Sequence, residues 1–180
     1  MTTVDSDPRH PRYPGYPGYP GYVDASEYRT LMGGFPTGVV VVTTTGDDGT
    51  PYGLTCSSLS SVTVRPPTLQ VSLMSTSKVL AAILGNQRFA VNLLHARARE
   101  AASVFASPVD RFARVPWRPT PRLGLPWLHR DAFAVAECRL ARTLEIGDHT
   151  MLFGEVTAVD HADDVPLLYG RRQYSVWPGD

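Results

Sequence analysis

Three short stretches of this 180-residue chain carry side chains whose types and spacing suit chemistry. The first is Ser75, Thr76, Ser77 and Lys78, opening "STSKVLAAILG". A helix starting there brings free backbone N–H groups and the positive end of its dipole together with hydroxyls and an ammonium, the equipment for one phosphate. The plain alternative is an ordinary Ser/Thr cap. The second stretch is "GLTCSSLSS" over 53–61, where Thr55, Ser57, Ser58, Ser60 and Ser61 flank Cys56 and Leu59. Serine buries little area and its hydroxyl needs a partner. Such a strand is therefore either a solvated edge or a bed for a planar heterocycle rich in donors and acceptors. The third is His149, beside Asp148 in "EIGDHTM". A histidine just past a turn is either simply exposed or, in a pocket, set to orient a substrate amide or move a proton.

Other chemistries find no support. His149 has no second histidine three or four residues on, and Cys56 and Cys138 match no metal spacing, so no metal site is expected. No G-x-S-x-G elbow surrounds Ser57 or Ser58. Neither a G-x-G-x-x-G turn nor a Walker-type glycine loop is present, so any nucleotide here is not held in a Rossmann manner. Formal net charge is zero, which argues against nucleic-acid or membrane-surface partners. No apolar run approaches the roughly 20 residues of a membrane span, and the cytoplasm is the expected compartment. Lys78 is the one lysine among 17 basic residues.

The elements that must position these residues follow from local pattern. Residues 1–23 contain "YPGYPGYPGY", whose proline and glycine defeat helix and strand, so an arm is expected, either flexible or docking on a partner. One folded domain over 24–180 should follow. Asp24 and Glu27 stand at capping-box spacing before a short helix. "FPTGVVVVTTT" (35–45) reads as a strand, "GDDGT" as a hairpin turn, and 51–61 as the returning strand. After the break at "VRPP" come a strand over 68–74, a helix over 75–85 stopped by Gly85, a strand over 88–94 and a helix over 96–106. A proline-rich loop spans 107–128. Two long strands, 134–146 and 149–159, are joined by "GD". Six or so strands in hairpin order, with three short helices, predict a mainly β fold: an antiparallel barrel decorated by helices.

Taken in order, "GGFPTGVVVVTT", "GLTCSSLSSVTVRPPTLQVSL", "STSKVLAAI", "RFAVNLL", "DRFARVPW", "AVAECRL", "GDHTMLFGEV" and "PLLYGRRQY" resemble the short-chain flavin reductases, the reductase components of two-component flavin-dependent monooxygenases. The resemblance covers roughly residues 24–175. It implies an FMN-binding split β-barrel with Greek-key-like antiparallel strands, and a homodimer with flavin near the subunit interface. It also implies FMN or FAD as cofactor, NADH or NADPH as co-substrate, and a transient partner monooxygenase.

By the same resemblance, Thr37 and Gly38 of "PTGV" and Thr55, Cys56, Ser57 and Ser58 line the isoalloxazine ring. Ser77 and Lys78 fall at the flavin phosphate, and Asn92 on a neighbouring strand of the site. Phe112 falls on a loop that often reaches the flavin across the dimer. His149 matches a histidine near flavin and nicotinamide, and Tyr169 and Arg171 belong to a C-terminal segment closing over the pocket. Leu59, Val79 and Gly170 depart from the family pattern, where an aromatic, a threonine and a histidine are frequent. The expected activity is NAD(P)H-dependent flavin reduction. The alternative is a flavin-binding relative acting as an oxidase or non-redox catalyst.

Overall fold

The structure is a computed structural model and describes residues 23–177; nearly all of the expected arm over 1–23 lies outside the described residues, as do residues 178–180. In chain order the first elements are α1 (Ala25–Gly33), β1 (Thr37–Gly38), β2 (Val40–Thr45), β3 (Pro51–Cys56), β4 (Ser60–Val64) and β5 (Pro67–Met74). Next come α2 (Lys78–Asn86), β6 (Arg88–Leu94), α3 (Arg99–Phe105), β7 (Arg118–Pro119) and β8 (Pro126–Trp127). The chain closes with β9 (Ala132–Ile146), β10 (His149–His161), β11 (Leu167–Gly170) and β12 (Gln173–Val176).

Val39 to Val42 show why β2 and the residue before it lack alternation. All four are buried: Val39 and Val41 pack with Leu94, Ala102, Phe105 and Leu125, while Val40 and Val42 pack with Val71, Leu80, Ile83 and Leu152. A strand covered on both faces reads as a continuous apolar run. Around it runs a seven-stranded antiparallel sheet in the order β3-β2-β6-β9-β10-β5-β4. β9 and β10 make its longest pair, joined at Gly147 (φ 62°) and Asp148 as a two-residue turn. Gly154 has no room for a side chain, because a Cβ there would sit 2.9 Å from Cys138 Cβ and closer still to the Phe89 ring.

The expected single strand over 51–61 is two strands belonging to opposite edges of the sheet. β3 ends at Cys56, residues 57–59 cross the gap, and β4 pairs with β5. Ser58 holds that seam: its hydroxyl donates to Ser72 O at 3.0 Å and accepts from Ser72 N–H at 2.8 Å, while Gln70 Nε2 donates to Ser58 O at 2.9 Å. Side-chain bonds thus join the two sheet edges where ladder pairing stops.

Other boundaries shift for local reasons. Asp24 caps α1 by accepting from Ser26 N–H and Oγ, with no reciprocal bond from Glu27. α2 ends not at Gly85 but at Gln87, whose φ of 59° turns its N–H back onto Ile83 O. Within 107–128 the loop carries the small β7–β8 hairpin. The C-terminal β11–β12 hairpin pairs with β1 in a separate three-stranded sheet. No helix among the described residues is long and apolar enough to cross a membrane.

Candidate functional site

A groove of about 940 Å³ lies between β3, the start of α2, residues 105–112 and His149. Its floor is the edge strand β3 and the crossing that follows, contributing Gly53, Thr55, Cys56, Ser57 and Ser58. Among the described residues β3 is an edge strand pairing only with β2, so its outer backbone groups other than Gly53 O are open to a ligand. The hydroxyls there divide into two kinds. Thr55 donates to Ala102 O at 2.7 Å, and Ser58 is committed to Ser72. Ser57 is exposed and its hydroxyl has no protein partner among the described residues.

The phosphate-type corner assembles around α2. Ser77 is the N-cap residue in extended conformation, yet its side chain makes no capping bond. The first N–H groups of the helix are thus left without a side-chain acceptor. Lys78 is exposed and has no ion-pair partner among the described residues. Ser77, Lys78 and Thr76 all line the groove. Ser75 does not. It ties this turn to the β9–β10 hairpin, donating its N–H to Asp148 O at 2.9 Å, with its hydroxyl 3.2 Å from Thr150 Oγ1. The same hairpin carries His149, so Ser75 links the two chemical ends of the groove.

His149 is half exposed, with Nδ1 2.6 Å from Asp148 Oδ1. That hydrogen bond holds the Asp148 carboxyl below the usual carboxylate range. With Asp148 ionised, Nδ1 carries the proton and Nε2 is the free ring nitrogen.

Phe112 lines the groove of its own chain, edge-on to Phe105 at 5.1 Å and to Trp117 at 5.8 Å. Arg111 locks that loop down, donating from Nη1 to Gly53 O at 2.7 Å and from Nε to Ser107 O at 3.0 Å. Arg111 and the groove-lining Tyr52 escape a reading of sequence alone. Each sits beside a recognised motif residue, Phe112 and Gly53, which is the only signal available.

Five other expected residues lie elsewhere. Asn92 is fully buried; its amide donates to Val41 O at 3.2 Å and Thr43 Oγ1 at 3.1 Å, and its Oδ1 accepts from Leu128 N–H at 2.9 Å. That places it in the packing of the 125–128 segment, outside the groove. Thr37 pairs with Tyr169 and Gly38 with Leu168 in the three-stranded sheet, and Arg171 follows in its turn at φ 51°. Within one chain none of Thr37, Gly38, Tyr169 and Arg171 lines the groove.

Comparison with known proteins agrees with this architecture. Residues 32–178 match the flavin reductase like domain. The chain is 50% identical over 156 residues to a flavin reductase (NADPH) of Lentzea aerocolonigenes, covering 86% of this chain and 91% of that protein. It is 35% identical over 155 residues to HsaB, the reductase subunit of a flavin-dependent monooxygenase of Rhodococcus jostii, covering 85% and 78% of the two chains. Among solved structures, the NADH:FAD oxidoreductase of Streptomyces globisporus C-1027, in complex with NAD and FAD fragments, superposes with a TM-score of 0.82. It shares 32% identity and covers 87% of this chain and 94% of that one. A split-barrel sheet, a groove set on its open edge and a domain match over most of the chain converge: this protein belongs to the flavin reductase-like family.

Proposed function

We propose that the groove binds flavin and that the chain is an NAD(P)H-dependent flavin reductase, supplying reduced FMN or FAD to a partner monooxygenase. The observation that carries this reading is the open polar set of Ser57, Ser77, Lys78 and His149 on one groove. A flavin fits those residues. The uncapped start of α2 with Ser77 and Lys78 suits a phosphate. The small side chains of Gly53, Thr55, Cys56, Ser57 and Ser58 let a flat ring approach an open strand edge, with Phe112 and Tyr52 supplying apolar walls.

A bound flavin would supply the hydride-accepting chemistry, which belongs to the cofactors. The chain's part is to hold and orient. Ser77 and Lys78 hold the phosphate end, while backbone groups of β3 and the Ser57 hydroxyl meet the polar edge of the ring. His149 offers Nε2 to the nicotinamide carboxamide or to charge developing nearby, its ring steadied by Asp148. Neutral hydrogen bonds of about 0.5–1.5 kcal/mol each favour exchange of flavin over permanent retention, as a reductase serving a second protein requires.

This reading includes a homodimer, and what one chain leaves uncovered supports it. α1 buries no residue, and Tyr28, Leu31, Met32 and nearby Phe35 are exposed, as are Val62 and Val64 on edge strand β4. Exposed apolar side chains of this kind suit an interface with a second copy. The cytoplasm is the compartment this reading asks for: reduced nicotinamide coenzyme is at hand, and Cys56 and Cys138 are both free thiols.

The test is anaerobic oxidation of NADH and of NADPH with excess riboflavin, FMN or FAD. Turnover should depend on free flavin; flavin bound without turnover would sink the reductase assignment. His149→Ala should lower turnover about tenfold or more with flavin affinity nearly unchanged. Collapse of binding with turnover per bound flavin intact would remove the orienting role.

A further inference from the structure

Residues 13–22, "YPGYPGYPGY", are the sequence feature that the reductase reading leaves without a role. They lie outside the described residues and lead directly into Val23 and α1. Their period is three, and the polyproline II helix has three residues per turn. In that conformation Tyr13, Tyr16, Tyr19 and Tyr22 fall on one edge, Pro14, Pro17 and Pro20 on a second, and the glycines on the third. Proline at every third position lacks the N–H that a β-ladder needs, so this segment does not extend a sheet edge. What it offers instead is a row of tyrosine and proline faces. Surfaces that take such segments are lined with aromatic side chains.

Such a surface lies within reach on the C-terminal hairpin. Tyr169 of β11 and Tyr174 of β12 are cross-strand partners whose ring centroids stand 5.4 Å apart. Tyr174 packs against the core and anchors the pair, while Tyr169, Val176 and Trp177 are exposed, the last at 62%. From Tyr174 to Trp177 is at most about 10 Å of extended chain, against about 9 Å for one polyproline II turn. Arg171 and Arg172 at the hairpin turn are exposed cations suited to a tyrosine face. Neither Tyr169 nor Arg171 lines the groove, and the dimer reading uses α1 and β4 rather than this hairpin. The distance to cover is short. Arg171 N–H donates to Gly33 O at 2.7 Å, which ties the hairpin to the end of α1. The nine residues of α1 span about 14 Å, whereas residues 13–22 in polyproline II form span about 31 Å. A segment rooted at Val23 can therefore run back along α1 and lie across the hairpin.

We propose that residues 13–22 dock in polyproline II form on the C-terminal hairpin of their own chain, with Tyr169, Tyr174 and Trp177 as the receiving aromatics. The arm is then a clasp over the three-stranded sheet. Nothing in this docking depends on the flavin reading.

Fluorine NMR of the full chain, grown with 5-fluorotryptophan, tests the docking. Trp177 is exposed, Trp127 is buried and Trp117 packs against the core, and Trp177→Phe assigns the lines. Pro14→Gly, Pro17→Gly and Pro20→Gly together remove the preformed helix. Tyr13→Ser, Tyr16→Ser, Tyr19→Ser and Tyr22→Ser together remove the contacts. Both sets should shift the Trp177 line and increase its broadening by a dissolved paramagnetic agent. The Trp117 and Trp127 lines should stay in place, which shows that the fold is intact. From the receiving side, Tyr169→Ala is read on the amides of Gly15, Gly18 and Gly21 in a glycine-labelled full chain. Their heteronuclear NOE should fall from that of an ordered segment to that of an undocked one. A Trp177 line unchanged by both arm variants, or glycine amides with the same NOE in wild type and Tyr169→Ala, would overturn the proposal. The labelled proline variant is also incubated with excess unlabelled wild type until subunits exchange. Its Trp177 line should stay undocked; return of the docked line would assign the contact to the arm of a second copy and overturn docking within one chain.

Discussion

Two groups of polar side chains sit in this fold under opposite conditions. On the side facing the 107–131 segment, Asn92 bonds Val41, Thr43 and Leu128. Glu137, 2% exposed, accepts from Thr120 Oγ1 at 2.6 Å and from the N–H groups of Arg122 and Leu123 at 3.2 and 2.5 Å. In the groove, Ser57 is exposed without a protein partner, Ser77 caps nothing and Lys78 pairs with no carboxylate among the described residues. Residue type does not separate the two groups, since both contain hydroxyls and charges. Saturation does. A buried polar group left unpaired is costly, and Asn92 and Glu137 are each held by several hydrogen bonds that pin a loop to the sheet. The groove set stays wet in the free protein, and its unused bonds are available to a ligand.

Cys138 marks the interior extreme and sets the largest expected effect. Burial pushes its thiol from 9.0 up to about 12. The folded value is raised, so the unfolded chain releases this proton first; the contribution is intact below pH 9 and is lost as pH rises toward 12. On the order of 4 kcal/mol is at stake across that window. Denaturant midpoints of wild type and Cys138→Ala, compared from pH 8 to 11, should converge as pH rises; a constant difference would refute the assignment.

Glu137→Ala comes next. It strands Thr120 and two backbone N–H groups and should cost about 3 kcal/mol, read as a lower melting temperature. If the groove is independent of that clasp, folded Glu137→Ala binds flavin with nearly wild-type affinity. A parallel loss of affinity would show that the two regions are coupled.

The smallest effect on stability belongs to the groove. Ser77→Ala with Lys78→Ala should shift stability by less than about 0.5 kcal/mol. The same pair should weaken FMN binding about tenfold and leave riboflavin untouched. A large drop in stability would move Ser77 and Lys78 into the structural group, and equal losses for both flavins would remove the phosphate assignment.

Much of the fold is legible where the cause is local. "GD" makes a two-residue turn because Gly147 takes positive φ, and the hydroxyl run before Lys78 does begin a helix. The phosphate end of the site is readable for the same reason: a helix start is made by neighbours in sequence. The serine stretch is harder. Its composition announces something unusual, yet whether a given hydroxyl faces ligand or protein depends on partners far along the chain. Ser58 meets Ser72 and Thr55 meets Ala102, whereas Ser57 meets neither. The family resemblance puts Asn92 on a neighbouring strand of the site. Its amide turns instead to the 125–128 segment, more than 30 residues away in sequence. Tyr52 and Arg111 carry no motif and become visible only when β3 and the 107–112 loop are brought together.

The sequence by itself determined most of the longer strands and the three helices, the family and the chemical character of the groove, but not the split of 51–61 or the β7–β8 and β11–β12 hairpins. Each feature so determined depends on local periodicity, turn residues or the order of motifs. The tertiary structure alone decided where the sheet splits, which hydroxyls remain free and which residues share a cavity. Hydrogen-bond saturation is a property of space: a donor takes whichever acceptor the folded chain brings within reach.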